Sequence, residues 1–302
     1  MYHGIINVYK EKRFTSHDVV AKLRGICKQK RIGHTGTLDP DAVGVLPVCL
    51  GNATKICDLL TDWDKEYVAH LKLGIVTDTQ DASGTVLAQH EVTVSIEEIR
   101  EAIESFRGEI MQVPPMYSAL KVGGQKLYEL ARQGKVVERV PRPVTIHEIE
   151  VLEENIPECE FEVRVVCSKG TYIRTLCHDI GQKLGCGGIM ASLTRTRVGN
   201  FKMEQSLTLS ELENICRQDK LTEYLIPVDR IFAYLPAVTV RQESLKALRN
   251  GNQLQKAECS WQISDEPQGQ YRVYSHEGRF FGIYNYDQRR GLLCPAKMFL
   301  EE

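Results

Sequence analysis

The sequence predicts an α+β protein followed by a second, smaller β domain. Three observations carry this. Residues 1–224 interleave alternating strand segments with well-capped helical stripes. A basic excursion over about 114–143 is bracketed by Pro114-Pro115 and by Pro141 and Pro143. After Tyr224 the texture turns to short alternating strands, so 225–302 is read as a separate β unit.

The elements follow in order. "VYKEKRFTSHDVVAKLRGICKQKR" starts as a strand and becomes a helix. Ser16 or Asp18 is its expected N-cap, and Val19, Val20, Leu23, Ile26 and Cys27 recur at helical spacing. "EYVAHLKLG" alternates, with Tyr67, Ala69, Leu71 and Leu73 sharing one face of a strand. "TQDASGTVL" supplies a Ser-Gly turn. "SIEEIREAIESFRG" is a helix with Ser95 and Glu98 as a capping box, Ile96, Ile99, Ile103 and Phe106 as its stripe, and Gly108 as its stop. The proline-bracketed excursion carries Gly123-Gly124 and a short helical middle. "FEVRVVCSKGTYIRTLCHDIGQKLG" reads strand, glycine turn, helix, with Ile173, Leu176, Cys177, Ile180 and Leu184 inward. Thr208 and Glu211 form another capping box. "VTVRQESLKALRNGNQL" and "YRVYSHEGRFFGIYNYDQRRGLLCPAKMFL" then give the short strands of the tail.

Composition narrows the function. Hydrophobic content of 42% and charged content of 26% fit an ordinary globular protein. No apolar run approaches the roughly 20 residues of a membrane span, and the apolar N-terminal segment is too short for a signal peptide, so a cytoplasmic location is expected. The ten cysteines form no C-x-x-C pair and lack zinc spacing, so they are read as reduced core residues. His34 has no partner at ligand spacing, and no metal or other cofactor is expected. The net charge of −2 hides a segregation. Residues 10–31, 121–143 and 164–202 hold 21 of the 38 basic residues and only 5 of the 40 acidic ones. Basic segments of that kind can face a polyanion, although charge alone leaves nucleic-acid binding at even odds.

Three residues stand out chemically. Asp39 precedes Pro40 within "GHTGTLDPDAVGVL", and proline pushes it out of helical backbone angles. In isolation an Asp-Pro pair more often serves a turn or a helix start. The alternative is a catalytic carboxylate on a rigid loop. Arg174 sits near the start of a helix, where its charge opposes the helix dipole. It is either a solvated surface arginine or a partner for an anion, and a carboxylate beside it is expected to have a depressed pKa. Tyr67 is by default a half-buried strand tyrosine; at a cleft edge it would stack on a base. The glycines at 33, 36 and 44 suit bends and make no phosphate cradle, and no G-x-S-x-G motif occurs.

Three segments together resemble the TruB family of tRNA pseudouridine synthases: "GHTGTLDPDAVGVLPVCLGNATK", "KEYVAHLKLGIVTDTQDASG" and "SKGTYIRTLCHDIGQKLG...SLTRTRVGNF". The resemblance runs from about Gly4 to residue 210, and the tail is similar, more weakly, to a PUA-like RNA-binding domain. It implies a pseudouridine-synthase core with a central mixed, mainly antiparallel sheet flanked by helices. It implies isomerisation of uridine 55 in the tRNA T-loop: the base is flipped, the N1–C1′ bond is cut, the base rotates, and a C5–C1′ bond forms, with no cofactor. Asp39 matches the essential carboxylate, Tyr67 the tyrosine against the flipped base, and Arg174 the arginine that pairs with the aspartate. His34 matches the residue that helps hold the T-loop, and Tyr172 and Leu193 match pocket-lining residues. Gly33, Thr35, Lys169 and Lys121 are expected to bind substrate with them, and the 121–143 segment to close over the RNA. The expected partner is the T-arm and T-loop of tRNA, bound by a monomer. Two departures concern the local structure. Lys10-Glu11-Lys12-Arg13 replaces the common Lys-Pro-x-Gly, which puts the loop's shape in doubt, and Thr194-Arg195 replaces paired arginines, with the possible loss of a phosphate contact. Two other readings stand beside this one: an RNA-binding or tRNA-folding protein with secondary catalysis, and an isomerase of the same fold acting on another RNA.

Overall fold

A computed structural model describes residues 1–261 and 269–300. Strand β1 (Gly4–Lys10) leads into helix α1 (Ser16–Ile26), followed by β2 (Ile32–His34), β3 (Val43–Leu50), the short helix α2 (Cys57–Thr61) and β4 (Lys65–Leu73). These strands join a nine-stranded sheet with the strands Gly108–Gln112, Arg142–Asn155, Glu160–Cys167, Gly188–Val198 and Phe201–Lys202. All pairings are antiparallel except that between β3 and Gly188–Val198, where Thr194 and Arg195 align with Val43 and Gly44. The sheet is thus mixed and mainly antiparallel, as the resemblance implied. A second sheet of six strands occupies the C-terminal region and begins at Ala237–Val240. The chain between the two sheets bridges them: Ile226 pairs with Ile5, Val228 and Phe232 share a core with Ile5, Ile283 and Phe299, and the Tyr274 hydroxyl donates to Asp229 at 2.9 Å.

Local rules explain most elements. On β4, Tyr67, Ala69, Leu71 and Leu73 are buried and the residues between them are half-buried. Ser95 and Glu98 form the expected capping box, and the helix Ile96–Glu104 ends before Gly108, which opens the next strand at a positive φ of 104°. The α1 cap differs from expectation. Thr15 is the N-cap, its hydroxyl accepting from the Asp18 amide at 3.0 Å while Asp18 accepts from the Thr15 amide at 2.8 Å. Asp18 is therefore the third helical residue of the box. Ser16 is fully buried, and its hydroxyl accepts from the Leu38 amide at 2.9 Å. That bond ties α1 to the loop carrying Asp39.

The helix Ile173–Lys183 lies against the Gly188–Val198 strand at a glycine contact. A Cβ on Gly181 would stand 2.1 Å from the Gly188 nitrogen, so no other residue fits. The basic excursion holds the hairpin Lys121–Val122/Gln125–Lys126 and the helix Leu127–Arg132, with Leu127 and Leu130 buried beneath it. No disulfide joins the ten cysteines. No helix among the described residues is long and apolar enough to cross a membrane.

Candidate active site

Asp39 sits in a tight turn braced from both sides. The Ala42 amide donates to the Asp39 carbonyl at 3.2 Å, with Pro40 at the second position of the turn. Ahead of Asp39, Leu38 is held by Ser16. Behind it, the Pro40 carbonyl accepts from the Arg13 amide at 2.9 Å and from Lys10 Nζ at 3.0 Å. Lys10 is fully buried, also donates to the Phe14 and Glu11 carbonyls, and has its pKa lowered to about 8 by burial. This answers the doubt raised by Lys10-Glu11-Lys12-Arg13. The loop closes without the proline, and Arg13 takes the left-handed φ of 70° where the family pattern has glycine.

Arg174 is the second residue of its helix and its side chain is buried. Its Nε stands 3.0 Å from Asp39 Oδ2, so the expected pair forms. The expected pKa direction does not hold. Burial raises the Asp39 pKa above 3.8, and Arg174, the largest opposing influence, does not fully offset it; Asp81 adds repulsion. The side chain keeps one open flank, 42% exposed, on an otherwise enclosed carboxylate.

Asp81 escaped the sequence reading, which took "TQDASG" as a turn. Its Oδ2 lies 3.6 Å from Arg174 Nη1. Its Oδ1 accepts from Thr79 Oγ1 at 2.7 Å and Ser83 Oγ at 2.6 Å, a local turn that aims the other oxygen at Arg174. Arg174 also donates to the Tyr117 carbonyl at 2.9 Å, joining the proline-bracketed excursion to the site. Two carboxylates and two carbonyls, the second that of Thr79 at 3.4 Å, thus offset a cation at the unfavourable end of a helix. Gln112 was missed as well. Buried, it donates to the Tyr172 carbonyl at 3.0 Å and accepts from the Tyr172 amide at 2.8 Å, fixing the helix start. Only its place on an edge strand, invisible before folding, brings it there.

Tyr67 is buried on β4, close enough to Asp39 for the carboxylate charge to act on it. Burial raises its pKa, and Arg195 partly opposes this. Arg195 itself is fully buried and makes no surface contact, so it is not a phosphate ligand. His34 is half-buried, with its ring edge-on to His17 at 5.1 Å. Burial first, then His17 and Arg195, lowers its pKa to about 4, so the ring is neutral at neutral pH.

The remaining expected residues divide. Tyr172 is half-buried at the N-cap of the Arg174 helix, and Leu193 is buried beside Ala69 on the neighbouring strand. Gly33 lies in β2 opposite Cys49. Thr35 is buried with its hydroxyl donating to the Pro47 carbonyl at 3.1 Å, which leaves its side chain to hold the loop rather than touch a substrate. Lys169 is exposed and pairs with Asp62 at 2.7 Å. Lys121 is exposed on the hairpin. A broad concavity elsewhere, between the Ile96–Glu104 helix and the Arg142–Asn155 strand, is lined by Arg100, Glu154, Arg164 and Glu148, which pair with one another and leave no reactive group free.

Comparison with known proteins gives the family of the chain. Residues 24–173 match the TruB family pseudouridylate synthase N-terminal domain, 174–233 the tRNA pseudouridylate synthase B C-terminal domain, and 236–298 the pseudouridine synthase II TruB C-terminal domain. The chain is 57% identical to tRNA pseudouridine synthase B of Lachnoclostridium phytofermentans, over 99% of this chain and 100% of the relative. It is 48% identical to the protein of the same name from Clostridium acetobutylicum, over 93% and 95%. Among solved structures it resembles a chain of an H/ACA RNP bound to a substrate RNA containing 2'-deoxyuridine, with a TM-score of 0.71 and 26% identity over 99% of this chain and 86% of that one. It also resembles a chain of a Cbf5-Nop10-Gar1 complex, with a TM-score of 0.70 and 29% identity over 99% and 85%.

Proposed function

Because the chain belongs to the TruB family of pseudouridylate synthases, we propose that it is a tRNA pseudouridine synthase acting on the T-loop uridine at position 55. The reading rests most on one observation: a carboxylate on a braced turn, 3.0 Å from a buried arginine and within electrostatic reach of a buried tyrosine. A carboxylate so held suits a glycosidic carbon that gains positive charge as the N1–C1′ bond breaks. The bracing of its turn means little ordering remains to be done when the substrate arrives.

Asp39 is assigned to the sugar or base, Tyr67 to packing against the flipped base and taking part in removal of the C5 proton, and Arg174 to orienting Asp39. His34, neutral at working pH, is assigned to the extruded T-loop as a hydrogen-bonding group rather than a cation. Tyr172 and Leu193 line the pocket. The basic segments contact phosphates, and the 121–143 element closes over the T-arm. The protein acts as a cytoplasmic monomer. The test is to incubate unmodified tRNA transcript with wild type and Asp39→Asn and map pseudouridine chemically. One modified T-loop uridine with wild type and none with the variant is expected. Modification elsewhere would refute the substrate assignment, and an active variant the role of Asp39.

A further inference from the structure

Arg195 faces Tyr67 directly in the register between the Gly188–Val198 strand and β4. It is among the largest fully buried side chains. Its Nε donates to the Val45 carbonyl at 2.7 Å and its Nη2 to the Gly36 carbonyl at 3.3 Å. Across that register its guanidinium is near enough to the Tyr67 hydroxyl for its charge to act on it. No carboxylate among the described residues forms an ion pair with it; its charge is felt instead by Lys10, Lys65 and His34, none of them an anion. A buried cation with neutral partners gains most when one partner becomes negative. Of the three groups it reaches, only the tyrosine hydroxyl can do so. The other charged or titratable groups acting on Tyr67 are Cys167 on the adjacent strand and Asp39 on its turn, and both disfavour the phenolate.

We propose that Arg195 is a positioning residue for proton transfer, fixing the Tyr67 oxygen and stabilising the negative charge on it. The inference rests on the pseudouridine synthase reading. Burial leaves Tyr67 a neutral hydroxyl at rest. After the C5–C1′ bond forms, that hydroxyl gives its proton to water, and the phenolate oxygen so formed beside Arg195 takes the C5 proton. The C5–H electron pair closes the C5=C6 bond, charge passes to N1, and N1 takes a proton from the hydronium, which leaves Tyr67 a neutral hydroxyl again. Arg195 touches neither base nor sugar.

The test uses single turnover of tRNA carrying normal or 5-deuterated target uridine. Arg195→Lys and Arg195→Met should slow the reaction by about tenfold or more. They should also raise the deuterium isotope effect and make the rate climb with pH. A slow variant with an unchanged isotope effect and pH profile would mean a purely structural role and overturn the proposal. Where neither variant folds, the wild-type chain bearing 3,5-difluorotyrosine at position 67 serves. Its more acidic phenol should move the pH limb downward, and an unmoved limb overturns the proposal. A wild type that forms no pseudouridine would instead refute the parent reading. The ionisation of difluorotyrosine, followed by absorbance, needs no activity: it should titrate at least about one pH unit higher in the Arg195→Met chain. An unchanged titration would refute the coupling alone.

Discussion

Asp39→Asn should abolish pseudouridine formation and at the same time stabilise the protein at neutral pH. The Asp39 pKa is raised above 3.8 in the fold, by burial first, with Arg174 the strongest opposing influence. The folded chain therefore holds that proton more tightly than the unfolded chain. Below 3.8 both states are protonated and the site costs nothing. As pH rises through the gap up to the folded pKa, ionisation increasingly favours unfolding, and above it the penalty is constant. Asparagine resembles the neutral form and keeps an oxygen to accept from Arg174. The 42% exposure of the side chain lets solvent screen the effect. A gain of about 0.5–1 kcal/mol is expected, not the several kcal/mol of a sealed charge. That corresponds to about 1–3 °C in Tm. Thermal unfolding followed by circular dichroism, near pH 7.5 and again near pH 4, measures it. The variant should melt higher at the first pH and together with wild type at the second. A variant that melts lower near neutrality, or keeps the same gap at both, would refute the claim that burial outweighs the arginine.

Three further outcomes follow from local geometry. Gly44→Ala should cost more than about 2 kcal/mol in urea unfolding, because Gly44 has φ +107° and a Cβ there would stand 2.2 Å from the Arg195 carbonyl oxygen; a neutral result would contradict the close approach of the two strands. Arg13→Gly should stabilise by up to about 1 kcal/mol, relieving a left-handed residue while keeping its amide on Pro40; destabilisation would mean the side chain matters more than the backbone. Histidine NMR should find His34 titrating near about 4, so its stabilising contribution is complete above the ordinary 6.5 and is lost as pH falls between those values; a titration at or above 6.5 would refute its burial.

Much was legible in the chain because it depends on nearest neighbours. The alternation of β4 and the boxes at Ser95 and Thr208 need only local spacing. The α1 cap was misplaced because Thr15, Ser16 and Asp18 are all plausible caps, and the choice fell to Ser16 finding Leu38, 22 residues away. Asp39, Tyr67 and Arg174 could be named from residue types and family pattern. The raised pKa of Asp39 could not, since it reflects a balance between burial and one ion pair that exists only after packing. Asp81 left a signal, a carboxylate inside a short turn, that a turn reading absorbed. Gln112 left none, and Arg195 stood out only as a departure from a family pattern, because each acts on a residue from a distant part of the chain.

The Asp39 turn hangs from β1 through Lys10, from α1 through Ser16, and from the Gly188–Val198 strand through Arg195 and the Gly36 carbonyl. The last of these spans 159 positions of sequence. No subset of the chain much shorter than the whole catalytic unit can therefore build the site. Closing such distant segments is a slow event in folding, so catalytic competence arrives with the last long-range pairing and not with the helices. Regain of activity during refolding is then a clock for completion of the sheet, and a nascent chain still lacking residues 188–198 cannot modify RNA ahead of time.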